Sequence, residues 1–297
     1  PVFCAPNLGI GGYLGSAYAP VFVGSDKNNP SMDDFKPPQI YDLGDPIVLA
    51  KRRKLLGKIE SKAVSQDSKG KDWSNLRELG YDAMTRSEGR EAFEMDRESP
   101  KMRDRYGRHP LGQNMLLARR MVEAGVRFVT VNGWAGQADH ETKGPPASSW
   151  DMHGGNMGMG NAFGKGSYGM GFCLPRLDQA LSALLTDLKA RGMLDNTLVV
   201  VTGEFGRTPK VLTQQPPGRQ HWPRCFSSIL AGGGIAGGQV YGKSDKHANQ
   251  PTVNPVRVEE LAATIYHAMD IPINGPETNS GISRPLTTGK PILDLFG

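Results

Sequence analysis

A mostly parallel sheet flanked by helices on both faces, the α/β class, is the fold this sequence predicts, and three observations predict it. Amphipathic helical stretches alternate with short β-branched runs, glycines stand where two of the helices have to stop, and the apolar runs are continuous enough to be buried on both sides. A chain of 297 residues with 38% hydrophobic content is long and apolar enough to build such a core as one domain over residues 1–297.

The first 45 residues are rich in Gly, Pro, Asn and Asp and read as irregular packed coil. From Asp45 the pattern turns helical, with Asp45 as a cap, Pro46 in the first turn, and Ile47, Val48, Leu55, Leu56 and Ile59 among basic residues. A second helical stretch is expected somewhere between Leu76 and Asp96. Leu111, Met115, Leu116, Ala118, Met121 and Val122 then recur at helix spacing, Gly125 supplies the stop, and VRFVTV (126–131) follows as a strand. The order repeats. Leu174 to Arg191 is an amphipathic helix closed by Gly192, and Leu198 to Val201 reads as a strand buried on both faces. Ser227 to Ala231 makes a third strand, and Arg257 to Met269 a third clear helix behind Asn254-Pro255.

Charge and cysteine content exclude several functions. The net charge of +5 is concentrated between Lys51 and Arg127, where aromatic residues do not interleave with the basic ones as a stacking platform for nucleic acid requires. Three cysteines without CxxC spacing indicate neither a thiolate zinc site nor a disulfide framework. No apolar run approaches the roughly eighteen residues of a membrane span. The AGGGIAGG segment after the third strand lacks the Lys-Ser/Thr ending of a P-loop and opens no helix, so it reads as turns and close backbone approach.

Chemistry concentrates after the second strand and in the long loop from Asn132 to Cys173. In Asp151-Met152-His153 a carboxylate and an imidazole stand two residues apart, which in extended backbone turns both toward one side. His221 would complete a set of two imidazoles and one carboxylate, a donor set suited to a catalytic zinc, although a lone DxH more often serves ordinary loop hydrogen bonding. Glu204 follows its strand directly, as a ligand, a general base or a salt-bridge partner of Arg207. Arg207 offers a planar fork for phosphate or sulfate oxygens. His267 lies in a helical run and reads as packing or capping, His109 and His247 as loop residues, and His140, between Asp139 and Glu141, as a ligand or a solvated side chain.

The segments YGRHPLGQNMLLARRMVEAGVRFVTVN, WDMHGGN, LPRLDQALSALLTDLKARGMLDNTLVVVTGEFGRTP, GRQHWPRCFSSILAGGGIAGGQVYG and VEELAATIYHAMDIP, in this order, resemble the bacterial sulfatase-like family catalogued as domain of unknown function 1501, common in planctomycetes. That family is similar to the alkaline phosphatase and sulfatase superfamily of metal-dependent α/β hydrolases. The resemblance implies hydrolysis of small-molecule or polysaccharide sulfate or phosphate esters. It implies a divalent metal, zinc first, with calcium, magnesium or manganese as alternatives, held by Asp151, His153 and His221, with Glu204 as carboxylate of a second ion and Arg207 as anion clamp. It also implies that the nucleophile lies upstream of Pro1, that this stretch is the C-terminal two-thirds of an exported, periplasmic or secreted protein, and that it is inactive alone. Two positions depart from the pattern. Phe205 stands where the superfamily commonly has a metal-binding His, and Gln220 where the family usually has Asp. They motivate the alternative of a non-catalytic secreted binding or scaffold protein.

Overall fold

In a computed structural model, residues 20–25, 28–37, 46–60, 87–137, 150–154, 162–163, 169–213, 215–274 and 285–297 are described. His140, most of the glycine-rich loop after Gly154, most of the N-terminal coil, the Asp45 cap and residues 76–86 of the expected second helical stretch lie outside them. Six α-helices are present among the described residues: α1 (Pro46–Glu60), α2 (Ser87–Glu91), α3 (Pro100–Tyr106), α4 (Pro110–Glu123), α5 (Met170–Ala190) and α6 (Val258–Ala268). Six short strands accompany them: β1 (Val199–Val201), β2 (Gly206–Arg207), β3 (His221–Trp222), β4 (Ile229–Ala231), β5 (Lys243–Ser244) and β6 (Pro251–Val253).

The mostly parallel, helix-flanked sheet of the alkaline phosphatase and sulfatase type is overturned. The described strands form three separate two-stranded antiparallel ladders, β1 with β4, β2 with β3 and β5 with β6. The connection explains the pairing. Parallel neighbours need a crossover of a dozen or more residues, usually a helix. Between β1 and β4 the described chain holds no helix, only β2 and β3 and their loop, so β4 returns against β1 in the opposite direction. β1 is therefore half-buried on a ladder of two strands and is not sunk between layers. The VRFVTV run forms no strand either, and Phe128 is 66% exposed.

The chain falls into two compact units, one of residues 1–147 with Leu174–Leu184, the other of residues 148–173 with 185–297. In the first, α4 is the centre of the core. His109 caps its start by accepting the Gly112 N–H, and Pro110 fits the first turn. Its end is a Schellman turn, in which the Val126 N–H bonds Met121 O and the Gly125 N–H bonds Val122 O, with Gly125 at φ +92°. Leu111, Leu116 and Leu117 are buried, as are Tyr106 on α3 and Ala180 on α5. Basic residues are drawn inside as well. Arg119, 1% exposed, and Arg120 both bond Glu98, at 2.7 and 2.6 Å, and Arg103 bonds Gln113 and Pro30 O. Part of the positive charge between Lys51 and Arg127 is thus spent on internal ion pairs, not on a solvated face.

The second unit is built on short ladders and straps. Glu260 accepts the Arg257 N–H at the start of α6, and the buried Thr264 hydroxyl donates to Glu260 O while accepting the Ile292 N–H. Thr287 Oγ1 bonds Glu259 O, Ala236 N–H bonds Leu295 O, Ile235 bridges Phe296, and Phe296 stands edge-on to His267 at 5.0 Å. Residues 286–296 therefore tie α6 to the glycine-rich turn after β4.

Candidate metal centre

The centre lies within the second unit and is assembled by β2, β3 and residues 150–154. β2 and β3 pair with Arg207 opposite His221. The ladder continues through the Thr208 N–H to Gln220 O at 2.9 Å, and Thr208 Oγ1 accepts the Gln220 N–H at 3.1 Å. On the other side of this hairpin the Arg219 N–H bonds Met152 O at 2.7 Å, which sets His153 beside it.

Asp151, 5% exposed, accepts two hydrogens on one oxygen, from the His153 backbone N–H at 2.9 Å and from the His153 ring at Nδ1, 2.6 Å away. The first is the turn an Asp makes with the N–H two residues on. The second fixes the tautomer, because Nδ1 keeps its hydrogen for the carboxylate and Nε2 is left with a free lone pair. His153 Nε2 faces His221 Nε2 at 2.9 Å, across 68 residues of sequence. Phe205 covers one face of the His221 ring, 4.3 Å between centroids. Arg207 Nη1 lies 3.4 Å from both His153 Nε2 and Arg219 O. Burial holds the Arg207 guanidinium below its ordinary pKa, and the carboxylates of Asp151 and Glu204 work in the opposite direction. Glu204 itself is exposed.

The four residues Asp151, His153, His221 and Arg207 thus come together, with Glu204 at their margin. Asp151 does not converge on the point between the imidazoles but stands behind His153. Among the described residues no group of three His, Cys, Asp or Glu is arranged to hold a metal ion. The donor chemistry of the imidazoles does suit one. Two Nε2 atoms meet, and a carboxylate behind one of them is the outer partner that orients a metal-ligating histidine. The Arg207 guanidinium at the same point suits an anion bound beside the ion.

A family model described as a protein of unknown function, DUF1501, matches residues 5–296. The chain belongs to the DUF1501 family. Comparison with curated proteins and with solved structures gave no match. Nor is any helix in the described part of this DUF1501 protein long and apolar enough to cross a membrane.

The remaining described histidines of the DUF1501 chain have other surroundings. His109 is the α4 cap, His267 packs on Phe296, and His247 is exposed in the β5–β6 turn. Sequence reasoning passed over Thr208, which acts by its hydroxyl and its N–H, and the glycines 154 and 218, which act by backbone alone. Their only trace in the sequence is a Gly next to His153 in WDMHGGN and another three residues before His221 in GRQHW.

Proposed function

We propose that this DUF1501 protein is a divalent-metal-dependent hydrolase of sulfate or phosphate esters, working as an exported protein. The observation behind the proposal is the meeting of His153 Nε2 and His221 Nε2 at 2.9 Å, with Arg207 3.4 Å away. His153 and His221 would hold the ion, zinc first, by these two atoms. Asp151 keeps His153 in the ligating tautomer, and Arg207 would bind an ester oxygen. Glu204, exposed beside Arg207, is assigned as a proton acceptor at the rim or as carboxylate of a second ion. When bound, the cation supplies Lewis acidity toward the ester oxygen. Kinship with the alkaline phosphatase and sulfatase superfamily belongs to this proposal through the site residues, not through the sheet.

The test is zinc content after dialysis, together with turnover of nitrophenyl sulfate and nitrophenyl phosphate. One equivalent of zinc, lost in a His153→Ala, His221→Ala double variant, and turnover abolished by a chelator are the expected results. Zinc retained undiminished by the double variant would sink the assignment. One observation favours a second reading, a secreted binding or scaffold protein: Phe205 covers a face of His221 that would otherwise be open. Zinc binding by the protein without turnover would select it.

A further inference from the structure

Two glycines touch where the segments carrying His153 and His221 cross. Gly218 is buried, and a Cβ placed on it would overlap the His153 carbonyl and come within 2.5 Å of Gly154 N. The relation is mutual. Gly154 sits at φ +68°, and a Cβ there would come within 2.6 Å of Pro216 O and 2.7 Å of Gly218 Cα. Ordinary contact begins near 3.4 Å, and every clashing atom is backbone, so no side chain can swing aside to relieve it. On its other side Gly218 is held by the Leu212 N–H, which bonds Gly218 O at 2.8 Å. One residue on, the Arg219 N–H bonds Met152 O at 2.7 Å.

We propose that Gly218, with Gly154 against it, is the positioning element of the centre, setting the gap between His153 and His221 by permitting an approach that no side chain allows. This rests on the reading of the two imidazoles as a cation site. His153 has Gly154 as its neighbour in sequence, and His221 follows Gly218 by three residues, all on backbone already fixed by hydrogen bonds. A displacement at the crossing is therefore passed to the imidazoles with little slack. Neither glycine touches the ion or the ester, so each acts only through the histidines.

The experiment compares wild type with Gly218→Ala, and with Gly237→Ala as a control in which the new methyl group meets nothing within 4 Å. Zinc affinity is measured by competition with a chromophoric chelator. The contact between the His153 and His221 rings, 4.7 Å between centroids, is read separately from the nuclear Overhauser effect in the zinc-free protein. Gly218→Ala is expected to lower zinc affinity by on the order of 10–100-fold and to lose the ring contact, while Gly237→Ala keeps both. A wild type that shows the ring contact but binds no zinc would remove the cation reading. Loss of that contact in Gly218→Ala would still uphold the positioning role. A Gly218→Ala protein with the ring contact intact overturns the proposal. If that variant does not fold, Gly154→Ala, whose new methyl group would come within 2.6 Å of Pro216 O at the same crossing, carries the same expectation, and an undisturbed ring contact in it is equally fatal.

Discussion

Acid should loosen α4 through a single imidazole. His109 accepts the Gly112 N–H on Nδ1 at 3.1 Å, so its hydrogen resides on the buried Nε2. Protonating Nδ1 would destroy the cap and place a cation in the core. Burial first, and then the positive charge of Arg176, lower the His109 pKa from 6.5 to about 4, against a weaker opposing pull from the Gln179 side chain. The unfolded chain takes up the proton near 6.5 and the folded one only near 4. Stability is therefore complete above pH 6.5 and falls as the pH drops from there to about 4, because in that window only the unfolded state gains a proton. A difference of this size corresponds to about 3 kcal/mol, or roughly 2 kcal/mol after allowance for screening at the imidazole edge. The assay is urea unfolding followed by circular dichroism at intervals between pH 4 and pH 7, on wild type and on His109→Asn, a cap that does not titrate. The wild-type curve should fall away from that of the variant across the window. Two curves that stay parallel would refute the reasoning.

Glu98→Gln leaves the buried Arg119 and the half-buried Arg120 guanidinium groups facing a neutral amide and should destabilise the first unit by about 3–5 kcal/mol in the same urea measurement. Burial alone would raise the Glu98 pKa, but Arg119 and Arg120 outweigh it and hold the carboxyl below its ordinary 4.5, so this contribution is present above that pH and is lost as the solution is made more acidic. Leu116→Ala, at a position with no exposure, should cost about 2–5 kcal/mol by chemical denaturation. Arg207→Ala should weaken inhibition by inorganic sulfate or phosphate by about tenfold or more in a turnover assay, while zinc content stays unchanged.

The helices were legible where a stop signal accompanied the periodicity. Gly125 and Gly192 each take the left-handed backbone their helix ends require, at φ +92° and +67°, and α4 and α5 end within a residue or two of them. α6 starts at Val258, a few residues past Asn254-Pro255, because Glu260 reaches back to the Arg257 N–H. The sheet was not legible. A run such as Leu198 to Val201 records an aptitude for strand and burial but not which neighbour it meets or in which direction, and the same run can lie half-exposed in a two-stranded ladder. VRFVTV has the composition of a strand and no strand partner among the described residues. At the centre, the spacing of Asp151 and His153 did bring the two side chains together, but a direct bond between them sets Asp151 behind the imidazole, which spacing does not encode. Phe205 entered the sequence reading as a missing ligand, and only the coordinates give it work, as the surface on which His221 rests.

The strap formed by residues 286–296 has a practical corollary for anyone handling the protein. Its fastenings are spread along the whole length of the segment, from Thr287 on Glu259 to Phe296 against Ile235 and His267. Loss of residues 292–297 would remove the outer fastenings together with the one that meets the Thr264 hydroxyl, leaving a buried oxygen with an unanswered lone pair. Such a loss should unmoor α6 from the glycine turn while every residue of the helix is still intact.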